Sequence, residues 1–184
     1  MSMGYRHSRD DLLDAAVDVV LDDGLGGLTF ASVSRRLRIA DRTLVYYFPT
    51  KSDLVAAVLG RTTAQLQELL SPALGDEPSD ESVVLQRSWA VLSGPASEAV
   101  FRVYFESVGL AVCGREPYQG VVEQLVAAWT TWIASRLTGD AATRLDRAHA
   151  IVATLDGLLL IRAIAGPRAV DAAARGLGLD TASD

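Results

Sequence analysis

Between Thr29 and Lys51 the chain sets two short helical segments around a tight turn, and this stretch constrains the fold more than any other. Thr29 is placed to cap a helix carrying Phe30, Val33 and Leu37. A turn follows at 38–40, and a second short helix runs from Asp41 to Tyr47 until Pro49 closes it. Phe30, Val33, Leu37, Ile39 and Leu44 supply the apolar contacts that can hold the two segments at a fixed angle. Upstream, Ser8-Arg-Asp-Asp11 reads as a capping box, and Leu13, Ala16, Val17, Val20 and Leu21 follow helical spacing. Gly24 is expected to stop that helix, with Gly26 and Gly27 in the turn beyond it.

The charge is distributed around the same segment. The 184-residue chain carries a net charge of −6, which taken alone argues against a nucleic-acid partner. Residues 1–61 are neutral in sum, so the negative excess lies entirely beyond them. Within 29–51, five basic residues (Arg35, Arg36, Arg38, Arg42, Lys51) face one acid, Asp41, a local +4. A confined basic patch on an acidic chain is what a phosphate-binding face looks like, although a solvated helix face has the same composition.

The rest of the chain also reads as helices. Thr50-Lys-Ser-Asp53 opens a long one carrying Leu54, Ala57, Val58, Leu66, Leu69 and Leu70, expected to end at Ser71-Pro72. Further helices are expected near 81–92, 96–112, 118–137, 141–165 and 168–175, separated by glycine, proline and aspartate. No alternating strand pattern persists, so the chain is predicted to be all-α.

The second helix of the 29–51 unit is short and exposes Asp41, Arg42 and Thr43 at its N-terminal end, as a segment entering a DNA major groove must. Thr29, Tyr46, Tyr47 and Lys51 flank it where phosphates would be gripped to fix the register. The run Thr29-Phe-Ala-Ser-Val-Ser-Arg-Arg-Leu-Arg-Ile-Ala-Asp-Arg-Thr-Leu-Val-Tyr-Tyr-Phe-Pro-Thr-Lys51 strongly resembles the TetR-type transcriptional regulators, over roughly residues 8–60. The resemblance implies base-edge contacts from Arg42 and Thr43, phosphate contacts from Tyr46, Tyr47 and Lys51, and an anchoring role for Thr29. Asp41 stays open between a base reader and the N-cap of the second helix. Two positions depart from the family pattern. Arg38 stands where glycine is common, and would be strained if its φ is positive. Ala40 stands where serine is common, so capping is expected to pass to Asp41.

The remaining helices carry seven of the twelve aromatic residues, all between 89 and 132. Trp89, Phe101, Tyr104, Phe105 and Trp129 are candidates to line an effector cavity, with Arg102, Glu106, Thr130 or His149 as polar partners; each ring can equally serve as core. Arg102 and Glu106, four apart, are expected to pair on the surface. The run Ile151-Val-Ala-Thr-Leu-Asp-Gly-Leu-Leu-Leu-Ile161 is apolar nearly all round and must be buried on more than one side. A symmetric dimer built on helices 118–137 and 141–165 would bury it, as the resemblance also implies.

The expected architecture is therefore an N-terminal three-helix helix-turn-helix unit, residues 1–53, on a larger helical ligand-binding and dimerisation bundle, residues 54–184. The expected function is a homodimeric repressor of operator DNA, released by a small, largely apolar effector. The alternative is an all-helical protein-interaction module without ligand control, which leaves the 29–51 patch unexplained. No uninterrupted apolar run reaches membrane-spanning length and no secretory leader is evident, so a cytoplasmic protein with no membrane partner is expected. An enzyme is not expected. His7, His149 and the single Cys113 make no metal-ligand spacing, no cofactor motif is present, and Gly24-Leu-Gly-Gly27 lacks the strand and Lys-Ser/Thr of a phosphate loop.

Overall fold

A computed structural model describes residues 7–179 of the chain. The described residues form nine helices: α1 (Arg9–Gly27), α2 (Phe30–Leu37), α3 (Asp41–Tyr47), α4 (Lys51–Leu74), α5 (Glu81–Leu92), α6 (Pro95–Val112), α7 (Tyr118–Ala134), α8 (Ala141–Ala165) and α9 (Pro167–Gly176). No strand is assigned among them; one isolated bridge joins Ser79 to Leu137. The chain is all-α.

Side-chain caps open four of the nine helices, the fourth being α8, where Asp140 accepts from Thr143 N. Ser8, Thr29 and Thr50 each open a helix with a reciprocal box, closed by the side chains of Asp11, Ser32 and Asp53. The Ser8 bonds hold the Asp11 carboxyl below the usual carboxylate range.

Three boundaries differ from expectation. Gly24 does break α1, at φ 74° and ψ 179°, but a further helical turn follows it to Gly27. Pro72 lies inside the last turn of α4, where a missing N–H removes only one bond; Leu70 and Leu74 are buried there and Gly75 ends the helix. Helix α7 stops at Ala134 because residues 136–138 turn away to pair with the linker, Ser79 N donating to Arg136 O at 2.9 Å and Thr138 N to Ser79 O at 3.1 Å.

Two apolar clusters organise the bundle. The first joins α1, α2, α3 and the start of α4 through Leu12, Ala16, Val20, Val33, Leu44, Phe48, Leu54 and Val58, and admits Val103 and Tyr118 from α6 and α7. The second joins the end of α4 to α5, α6, α7, α8 and α9, around Leu70, Trp89, Ile133, Ile151, Leu155 and Val170. Helix α4 runs through both. Helix α8 is long and apolar enough to cross a membrane by length and composition, yet it packs on α5, α7 and α9. Only a third of its most apolar stretch is buried within this one chain.

Candidate functional site

The turn between α2 and α3 sets the aim of the recognition unit. Arg38 adopts the left-handed conformation, φ 57° and ψ 43°, and its N–H bonds to Arg35 O and Ser34 O. Ala40 is the N-cap of α3 and offers no side-chain bond. Capping does not pass to Asp41, which is the first helical residue, with its carboxylate exposed beside the helix N-terminus.

Helix α3 buries Leu44 and turns the rest of its surface outward. Arg42, Thr43, Tyr46 and Tyr47 come together around one surface hollow, with His7, Ser8 and Ile39 completing its lining. Tyr46 is 79% exposed, although large aromatic rings are usually half-buried or better. It stands edge-to-face on Tyr47, with centroids 5.0 Å apart. Lys51 begins α4 and is exposed. Thr29 is exposed but already committed: its hydroxyl accepts from Ser32 N at 2.9 Å and contacts Ser32 Oγ at 3.0 Å. The basic patch is smaller than its formal +4, because Arg36 turns back to α1 and bonds Asp22 at 2.9 Å, with Asp18 at 3.7 Å. Among the described residues Arg35, Arg38, Arg42 and Lys51 form no ion pair.

The aromatic residues of the larger bundle divide three ways. Phe101, Tyr104 and Trp129 line a cavity between α4, α6, α7 and α8, together with Leu59, Thr62, Thr63, Leu66, Val100, Leu125 and Asp156. The cavity is narrow, with a volume of about 40 Å³. Phe105 and Arg102 instead line a groove on the far side of Phe101, between α6 and the end of α8. Trp89 lines neither; it is fully buried in the second apolar cluster.

Sequence reasoning missed the cavity's one acid. Asp156 lies on α8 and accepts a hydrogen bond from the Tyr104 hydroxyl at 2.9 Å. Burial pushes its carboxyl up to about 6, against the smaller, opposing effect of that hydrogen bond. Burial and the neighbouring Asp156 also push the Tyr104 phenol well above its usual range. The available signal was a lone carboxylate inside the apolar run 151–161.

Arg102 and Glu106 do not pair with each other. Both reach from α6 to the end of α1: Arg102 Nη2 donates to Leu21 O at 2.7 Å, and Glu106 accepts from Leu25 N at 2.9 Å and Gly26 N at 3.3 Å.

Residues 12–58 match the family model for "Bacterial regulatory proteins, tetR family". This N-terminal unit is of the TetR type. The larger half of the chain agrees too: the HTH-type transcriptional regulator BetI of Klebsiella pneumoniae (strain 342) is 25% identical over 164 residues, covering 86% of this chain and 83% of BetI. A Rhodococcus sp. protein described as a TetR-family regulator shares the fold with a TM-score of 0.75 at 22% identity, covering 92% of this chain and 94% of that one. The multidrug binding protein EbrR, solved with imidazole, is 25% identical with a TM-score of 0.68, covering 97% of this chain and 98% of EbrR. EbrR has also been solved with proflavin, at 26% identity and a TM-score of 0.63, covering 92% of this chain and 96% of EbrR. A chain carrying this TetR-type unit is a DNA-binding transcriptional regulator, not an enzyme.

Proposed function

We propose that this regulator is a cytoplasmic homodimeric repressor that leaves its operator when a small molecule enters the cavity lined by Phe101, Tyr104 and Trp129. Residues 1–53 would read DNA, and residues 54–184 would bind the effector and dimerise. Arg42 and Thr43 contact base edges, while Tyr46, Tyr47 and Lys51 hold phosphates. Asp41 acts through its place at the start of α3, and Thr29 through the cap it gives α2.

The observation that carries this reading is the shared route between cavity and recognition unit. Leu59, Thr62, Thr63 and Leu66 of the cavity wall lie on α4, whose first turn follows directly on α3. Phe101 and Tyr104 lie on α6, which holds the end of α1 through Arg102 and Glu106. A ligand that changes how α4 and α6 sit changes the aim of both recognition helices. In a dimer those helices must enter successive major grooves about 34–36 Å apart. An effector lowers DNA affinity by the ratio of its affinities for the two states. EbrR, alike in fold, is a multidrug binding protein, which agrees with a bundle that takes up small molecules.

Dimerisation through α7 and α8 draws support from exposure. Leu145, Leu160, Ile161 and Ile164 on α8 are 40–74% exposed in a single chain. An apolar helix left open in this way favours a symmetric partner.

The test is binding to DNA from upstream of the protein's own gene at low salt, with Arg42→Ala as control. Sequence-selective retardation that Arg42→Ala weakens is the expected outcome. No retardation by the wild-type protein would reject the operator reading and leave an all-helical interaction module.

A further inference from the structure

The effector cavity carries a charge pattern more specific than its apolar walls. Among its ten lining residues Asp156 is the only one with a charge, and no Lys, Arg or His faces it. The polar hydrogens of the cavity are nearly all spent. Thr62 and Thr63 both donate to Leu59 O at 2.9 Å, and Tyr104 donates to Asp156 Oδ2 at 2.9 Å. Each hydroxyl then presents only lone pairs to the cavity. Among the described residues Asp156 Oδ1 accepts no hydrogen bond. The indole N–H of Trp129 is the one side-chain donor left in the lining.

The walls add a second, independent preference. Phe101 and Tyr104 stand edge-to-face with centroids 6.1 Å apart, and Trp129 stacks on Trp132 at 5.2 Å. Aromatic faces around a desolvated site attract an organic cation through their quadrupoles. An anion would meet lone pairs and a carboxylate with no cation to balance them. A neutral apolar molecule would leave Asp156 buried without a counter-charge.

We infer that the effector of this regulator is a slim or planar organic cation, its charge held by Asp156 and its apolar body by Phe101, Tyr104 and Trp129. The inference rests on the effector site proposed above and adds the charge of the ligand. The narrowness of the cavity suits a flat ring system that enters edge-first. Asp156 meets no other titratable group in the lining but Tyr104, and Tyr104 stays protonated, so the pH response of cation binding belongs to Asp156. Ionisation of Asp156 strengthens binding as pH rises through about 6.

Two fluorescent probes separate the site from its charge: proflavin, a planar cation, and N-phenyl-1-naphthylamine, a neutral ring of similar size. Each is titrated into the full-length protein at about pH 7.5 and about pH 5. Wild-type protein is expected to bind both probes, and to bind proflavin about tenfold more weakly at the lower pH. Asp156→Asn is expected to weaken proflavin about tenfold and abolish its pH dependence, with the neutral probe changed less than about twofold. Tyr104→Phe is expected to keep proflavin binding and move the pH midpoint upward, because its hydroxyl favours the ionised carboxylate. A tie between α6 and α8 with no ligand role would not move that midpoint. Equal proflavin affinity in wild type and Asp156→Asn overturns the inference. Binding of the neutral probe but not proflavin also overturns it and leaves the cavity as the effector site. Failure of both probes counts against the effector site itself.

Discussion

The carboxylate of Glu106 accepts a hydrogen bond from the backbone N–H of Leu25 at 2.9 Å, across 81 residues of sequence. Leu25 begins the helical turn beyond the Gly24 break, so Glu106 caps an N-terminus that α1 exposes by bending. Gly24 is fitted to this contact twice over. Its φ is +74°, and a Cβ there would lie 2.9 Å from Glu106 Oε2. Glu106→Ala is expected to lower unfolding free energy by about 1–3 kcal/mol, since it leaves the N–H of buried Leu25 without its partner. Chemical denaturation measures that loss. If α6 transmits the effector signal through this contact, the variant also keeps operator affinity while losing part of its ligand-induced release.

Lys51 and Arg42 are expected to fail differently on DNA. If Lys51 holds a phosphate as proposed, Lys51→Ala should weaken binding on all sequences alike, and the slope of log K against log salt should fall by about 1. If Arg42 reads a base edge as proposed, Arg42→Ala should cost the operator about 1–3 kcal/mol while non-specific DNA is less affected. Fluorescence anisotropy on operator and scrambled duplexes over a salt series distinguishes the two. Equal losses on both duplexes for Arg42→Ala would remove it from base recognition.

Arg38 occupies a left-handed conformation that glycine adopts without a steric penalty. Its side chain is exposed and forms no ion pair among the described residues. Arg38→Gly is therefore expected to stabilise the fold by up to about 1 kcal/mol, reduced by the extra freedom glycine gives the unfolded chain. Thermal unfolding should show a rise in Tm. A fall would mean that the arginine side chain contributes packing or charge that outweighs the backbone strain.

Arg38 also marks how far the sequence reaches. Its strained backbone, the boxes at Ser8, Thr29 and Thr50, and the exposed face of α3 follow from residues close in sequence, whose physics is local. The same local reasoning failed for Arg102 and Glu106, where spacing suggested a mutual pair and tertiary packing offered each a backbone partner on α1. It failed again at Pro72 and at the end of α7, where burial of Leu74 and pairing with Ser79 overrode the usual stop signals. The cavity was half legible. Three of its rings were named, but Leu59, Thr62 and Asp156 meet them only because α4 and α8 cross α6, and no periodicity within one helix encodes that crossing.

Asp156 gives the regulator a stability that depends on pH in a defined direction. Its folded-state carboxyl is raised to about 6 from 3.8, chiefly by burial. A raised acid stabilises the fold while protonated. That contribution is complete below about pH 4 and is lost as pH rises through about 6, a change on the order of 3 kcal/mol. Asp156→Asn keeps the shape and an acceptor for Tyr104 but cannot ionise. The variant should match the wild type near pH 4 and exceed its Tm at about pH 8. Thermal melts of both proteins across that range measure the difference, and parallel curves would show that ionised Asp156 is fully solvated in the folded chain. A cationic effector should narrow the gap at about pH 8, because it supplies a counter-charge that the cavity's lining residues do not. The wild type would then gain more Tm from proflavin than Asp156→Asn does, so the acid that weakens the free protein is the one that makes it responsive.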